Sequence, residues 1–138
     1  MSGHAVSVDL GGTNLRLSLL NRDYKEIKGI RFSTKDFDSP DAILSTIVAF
    51  TDQCCRDSES IHGLGIGAPG PLNTKTGIID SMPNLPGWDQ FPLVEKLSNM
   101  VKLPVFLSND ADAAAMGEYC RGVARDEVLF VLLTLGTG

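Results

Sequence analysis

The sequence predicts an α/β fold with a mixed sheet, in the element order βββαβαβα. Three observations carry that reading. Residues 5–9 and 15–20 alternate apolar and polar positions, the pattern of half-buried strands, and a third run at 27–32 follows them, the three separated by Gly and Asn/Asp turns. Two later segments repeat apolar residues at helical spacing. Short strands at 61–66 and 104–107 interleave with the helices, which is the signature of βα units.

Residues 5–9 (Ala-Val-Ser-Val-Asp) alternate and are bounded by Gly11-Gly12, predicting a strand and a tight turn. Residues 15–20 form the returning strand, Asn21-Arg22-Asp23 a turn and 27–32 a third strand. Ser39-Pro40-Asp41 combines a hydroxyl at the N-cap, a proline at the first helical position and an acid in the first turn. Ile43, Ile47, Phe50 and Cys54 then share one helix face, and that helix is expected to run to about Arg56. The strand at 61–66 feeds Gly67-Ala68-Pro69-Gly70-Pro71, where two prolines forbid a helix. Thr76-Gly77 predicts a turn before a short strand at Ile78-Ile79, and Pro83-Asn84-Leu85-Pro86-Gly87-Trp88 an irregular loop. Leu93, Val94, Leu97, Met100 and Val101 mark a second amphipathic helix, followed by the strand at 104–107. A third helix is expected over 109–121, closed by Gly122 as its C′ residue. Residues 127–135 are nearly all apolar and predict a last strand covered on both faces. The domain edge is placed in the connection at 122–126. Residues 1–123 would be a small N-terminal domain, and 124–138 a linker and the first strand of a truncated second domain.

A chain of 138 residues can bury a real core, roughly two-thirds of its unfolded surface. The net charge is −5, the pI about 4.8, and Lys and Arg are scattered, which disfavours a nucleic-acid or anionic-membrane surface. No apolar stretch reaches the roughly 18 residues of a membrane span, and Met1-Ser2-Gly3-His4 lacks the features of a secretory signal. Three cysteines, with Cys54 and Cys55 adjacent, fit neither a disulfide framework nor a zinc spacing. These features predict a cytoplasmic protein with buried, reduced thiols.

The chemistry-bearing residues fall in loops. Gly11, Gly12 and Thr13 follow the strand that carries Asp9. Glycines let backbone N–H groups approach phosphate oxygens, and a threonine hydroxyl adds a donor. An acid just before such a turn is placed to hold the Mg²⁺ of ATP, usually through water. A plain Gly-Gly hairpin turn with an incidental Asp accounts for the same residues. Gly65-Ile66-Gly67-Ala68-Pro69-Gly70 matches G-x-G-x-x-G, but Pro69 and Pro71 prevent the helix that a dinucleotide site requires. The loop instead lets a ligand lie against backbone, or is a structural turn at a strand end. Asn109-Asp110 stands where a strand gives way to a helix, the place where ligands collect in open α/β sheets. Asn109 is also a good N-cap, and Asp110 also complements the helix dipole. The dipole favours a carboxylate able to accept a substrate hydroxyl proton during phosphoryl transfer. Asp112 is one residue too far round the helix and reads as structural. Thr134-Leu135-Gly136-Thr137-Gly138 repeats the logic of the first loop.

Taken in order, the Asp9–Asn14 loop, the Gly65–Pro71 loop, Pro83–Trp88, Asn109-Asp110-Ala111-Asp112-Ala113-Ala114 and Thr134–Gly138 resemble the N-terminal half of a ROK-family sugar kinase of glucokinase type. The resemblance implies a ribonuclease H-like fold of the actin and sugar-kinase superfamily, and ATP-dependent phosphorylation of a hexose, normally O6 of glucose. By matching position it implies Asp110 as general base, with Asn109 and Asn84 as sugar ligands beside the backbone at Gly67 and Gly70. Gly11, Gly12 and Thr13 would touch ATP phosphates from one side and Gly136, Thr137 and Gly138 from the other, and Asp9 would organise Mg²⁺. A zinc site belongs to the family's C-terminal half, which these residues do not include.

An isolated 138-residue species is therefore expected to be inactive. Dimers or aggregates of that isolated species are expected, because the last apolar run would expose edge surface, and a homodimer is the expected assembly. A sugar-responsive regulator of the same family would need a DNA-binding segment ahead of the first strand, where four residues stand, and a non-catalytic sugar-binding module would not need Asp110 or both phosphate loops.

Overall fold

The computed structural model describes residues 3–58 and 60–135. Strands β1 (His4–Leu10), β2 (Asn14–Asn21) and β3 (Glu26–Ser33) form the predicted meander, and a 3₁₀ turn at Thr34–Asp36 leads to helix α1 (Pro40–Asp57). Then follow β4 (Ile61–Ala68), the short strands β5 (Leu72–Asn73) and β6 (Ile78–Ile79), α2 (Leu93–Met100), β7 (Val105–Asn109) and α3 (Asp110–Arg121). The main sheet has the order β3-β2-β1-β4-β7. The β1–β2 and β2–β3 pairs are antiparallel, whereas β1–β4 and β4–β7 are parallel. The mixed sheet and the main element order are those read from the sequence; the short strand β5, which pairs with the expected strand at Ile78–Ile79, was not foreseen.

Alternation decides which face of the sheet holds the core. Val6, Val8 and Leu10 of β1, Leu15 and Leu17 of β2, and Leu64 and Ile66 of β4 are buried, at 3% exposure or less. They meet Ile43, Leu44 and Ile47 of α1 in one apolar cluster, joined by Leu93 and Leu97 of α2. The Ser39 hydroxyl accepts from the Ala42 amide, and Pro40 opens α1, so the helix-start signals act as predicted. Helix α3 buries none of its side chains and lies near the ends of β4 and β7. Among the described residues, no helix is long and apolar enough to cross a membrane.

Three expectations are corrected. Residues 127–135 pair with no strand among the described residues, and Val128, Leu129, Val131, Leu133 and Leu135 are exposed. A strand exists only through its ladder, and this segment joins neither sheet edge, β3 or β7. Phe130 stacks on Tyr119, with ring centroids 6.5 Å apart. Gly122 closes α3 in an extended rather than a left-handed conformation, φ −103°. Its amide bonds the Glu118 carbonyl at 2.9 Å, and the folded-back Glu118 carboxylate accepts from Val123 N–H at 3.0 Å. The close approach of Glu118, not φ, is what a side chain at Gly122 would obstruct. Of the three thiols only Cys54 is buried, and burial pushes its pKa up; Cys55 is exposed and Cys120 half-buried.

Two predictions follow from packing and charge. The apolar residues at 128–135 should make the 138-residue chain self-associate, so a sedimentation coefficient should fall on dilution; a single monomer species at every concentration would contradict this. On β3, the Glu26 carboxylate accepts from the Ser18 hydroxyl at 2.6 Å and from the Arg16 guanidinium at 2.8 Å, which holds it below its ordinary range. A depressed folded-state pKa contributes stability above the unfolded-state value and loses it as pH falls through the folded value. Glu26→Gln should therefore be less stable than the wild type at neutral pH, and the gap should close on acidification, measured by urea unfolding at both conditions.

Candidate active site at the strand ends

The parallel register brings three of the predicted segments side by side. Asp9 of β1 is opposite Gly67 of β4, Gly67 is opposite Ser108 of β7, and one step further Ala68 is opposite Asn109. All three strands point the same way, so their carboxyl ends form one edge. Asp9 is exposed there while its neighbours Val8 and Leu10 are buried. Helix α3 starts over Gly67: a β-carbon on that glycine would lie 3.7 Å from Asp110 Cα and 3.6 Å from Ala113 Cβ.

Strand β7 runs two residues further than the apolar pattern indicated, so Asn109 is both its last residue and the N-cap of α3. The Asn109 Oδ1 accepts from the amides of Ala111 at 3.0 Å and Asp112 at 3.4 Å. Asp110 is the first helical residue, half-buried, and its Oδ1 accepts from Ala111 N–H at 2.8 Å. Its carboxylate sits at the positive end of the helix dipole. The Asp112 side chain is exposed at the surface of the first turn.

The turn between β1 and β2 is a tied-down hairpin. Gly11 N–H bonds the Asn14 carbonyl at 2.8 Å, so the Gly11 amide expected at a phosphate is consumed inside the turn. The buried Thr34 holds the other side: its hydroxyl donates to the Gly12 carbonyl at 2.9 Å and its amide to the Thr13 carbonyl at 3.0 Å. Thr34 lies 22 residues from Gly12, and no local pattern marks it.

Asp9 also borders a cavity of about 330 Å³ with Ser7, Arg16, Ser18, Leu20, Tyr24 and Glu26. Arg16 is the cross-strand neighbour of Asp9, the natural place for a salt bridge, yet its guanidinium is bonded to Glu26. Among the described residues Asp9 makes no ion pair. The polar positions of β2, Arg16 and Ser18, were legible as one face of an alternating strand, but their pairing with Glu26 was not.

The segment 69–91, which includes β5 and β6, brings Asn84 to the hairpin at this edge. Gly70 has φ +94°, and a β-carbon there would come within 2.5 Å of the Ser81 carbonyl oxygen, so only glycine suits the position. Met82, Leu85 and Trp88 are buried, and the Leu85 amide bonds the Met82 carbonyl at 3.0 Å. Asn84, between these anchors, is exposed and stands over Gly12. Asp9, Gly12, Thr13, Gly67, Asn84, Asn109 and Asp110 are thus placed on adjoining strand ends and loops. Gly136, Thr137 and Gly138 lie outside the described residues. Among the described residues no three His, Cys, Asp or Glu side chains form a metal cluster. The lone Asp9 carboxylate suits an ion held through water and phosphate oxygens rather than by an all-protein cage.

The glucokinase of Thermotoga maritima is 36% identical over 133 residues, covering 96% of this chain and 42% of that protein. A ROK family glucokinase of Streptomyces griseus, solved with glucose and AMPPNP, superposes with a TM-score of 0.79 at 29% identity, over 90% of this chain and 38% of that one. A ROK family transcriptional regulator shares the fold at a TM-score of 0.73 with 21% identity. The chain thus spans about two-fifths of the length of the glucokinases it matches. The fold is the ribonuclease H-like α/β fold of these sugar kinases. The family profile covers residues 5–138, and the chain belongs to the ROK family.

Proposed function

We propose that this chain carries the catalytic base and much of the sugar site of an ATP-dependent hexose kinase, with glucose the preferred substrate and O6 the acceptor. The observation that carries the reading is the alignment of Asp9, Gly67 and Asn109-Asp110 along one strand edge, beneath the loop that presents Asn84. The similarity to glucokinases supports it.

In this reading Asp110 accepts the proton of the hexose hydroxyl as its oxygen bonds to the γ-phosphorus and the bond to the ADP oxygen breaks. Phosphoryl transfer asks the protein chiefly to position groups and stabilise charge. The side chains of Asn84 and Asn109 and the backbone at Gly67 and Gly70 orient the sugar. With the Gly11 amide consumed by Asn14, phosphate contact from the hairpin falls to Gly12 and Thr13. Gly136, Thr137 and Gly138 would serve from the opposite side. Mg²⁺, when bound, offsets phosphate charge, and Asp9 would hold it through water. Residues 1–123 form the small domain in this scheme, 124–138 lead into the second, and the whole protein acts as a homodimer in the cytoplasm.

Asp110→Asn should lower kcat by about 10²- to 10⁴-fold, the usual contribution of a general base, while glucose affinity by calorimetry stays near the wild-type value. Unchanged turnover would remove Asp110 from the role. Asn109 needs a different test, because it caps α3. Asn109→Ala should cost about 1 kcal/mol of stability. Asn109→Ser should keep the cap and the stability but still bind glucose more weakly; a serine variant with wild-type affinity would leave Asn109 a cap alone.

A further inference from the structure

Gly12 belongs to the hairpin assigned to phosphate, and Asn84 to the loop assigned to sugar. The two touch. A β-carbon on Gly12 would sit 3.1 Å from Asn84 Cβ, 3.6 Å from its Nδ2 and 3.8 Å from its Cγ. The backbone does not require glycine there, because Gly12 is not among the glycines with positive φ. What a side chain there would meet is Asn84, which would have to give by a few tenths of an ångström.

Neither side of the contact can easily give way. The hairpin is fixed by the Gly11–Asn14 bond and by Thr34, which holds the Gly12 and Thr13 carbonyls. The Asn84 loop is pinned from below by Met82, Leu85 and Trp88, with Trp88 in tilted contact with Phe91, ring centroids 4.8 Å apart. A displacement at one loop therefore reaches the other rather than dissipating in slack, as expected of close-packed contacts.

We propose that Gly12 is a positioning residue for the sugar: it sets the height of the Asn84 amide above the strand edge and couples the phosphate hairpin to hexose binding. This rests on the assignment of Asn84 as a sugar ligand. The occupant of the Asn84 side of the contact is a hexose hydroxyl, and the occupant of the Gly12 side is a phosphate oxygen.

The test is glucose binding to the protein by calorimetry with no nucleotide present. Gly12→Ala should weaken glucose about tenfold, comparable to the loss of one hydrogen bond. Gly12→Ala with wild-type glucose affinity, and a defect confined to the KM for ATP, would overturn the coupling. Asn84→Ala separates the two layers. If it weakens glucose while Gly12→Ala does not, the coupling alone fails; if it leaves glucose affinity unchanged, the sugar assignment of Asn84 fails and the coupling with it. A readout on the unmodified protein covers the case of an alanine variant that does not fold. Glucose alone should slow hydrogen exchange at the Gly12 and Thr13 amides, and unaltered exchange there would overturn the proposal.

Discussion

The register of β1 is the constraint on which the site depends. Side chains alternate along a strand, so Val6, Val8 and Leu10 face α1 while Ser7 and Asp9 face the other way. A slip of one residue would bury Asp9 and expose the three apolar residues. Fully burying a side chain of this kind contributes roughly 1.5–3 kcal/mol, so the three together fix the register firmly. The hairpin pairing of Leu10 with Leu15 locks one side of β1, and the parallel ladder to β4 locks the other. Because the sheet is parallel from β1 to β7, the same register aligns Asp9, Gly67 and Ser108. The core and the site are thus two faces of one alignment.

That alignment leaves the sheet unequally covered. One face is sealed by α1 and α2, with Leu44, Ile47, Leu93 and Leu97 at 1% exposure or less. The other carries Ser7, Asp9, Arg16 and Ser18 around an open cavity. Polar groups tolerate that exposure at little cost, whereas apolar ones would not. Ser18 is buried despite its hydroxyl, and its bond to Glu26 satisfies it. The polar face is therefore an ordered surface and not merely an unfinished one.

Much of this was legible in the sequence where local chemistry decides structure. Ser39-Pro40-Asp41 opens α1 at the predicted residue, and Asn109 caps α3. The alternation of β1 and β2 gave both the strands and the face on which Asp9 lies. Long-range choices were not legible. Thr34 holds the Gly12 and Thr13 carbonyls from outside the hairpin. Arg16 bonds Glu26 rather than Asp9, its neighbour across the ladder. Residues 127–135 have the composition of a buried strand, but composition supplies no partner, and without a ladder the segment stays exposed. The bond from the Gly11 amide to the Asn14 carbonyl was not legible either: a tight turn uses its own donors.

The start of α3 puts the helix cap and an acid on two adjacent residues. A helix end presents amides that must find acceptors. Here Asn109 accepts from both Ala111 and Asp112, so the amide oxygen of a neutral side chain does the capping. Asp110 accepts from the Ala111 amide, which Asn109 shares. The carboxylate keeps the favourable dipole of the helix without being the group that terminates it. The Asn-Asp order at the end of β7 matters physically for that reason: exchanging the two residues would place the acid at the cap and the amide at the first helical position, the one proposed for the base.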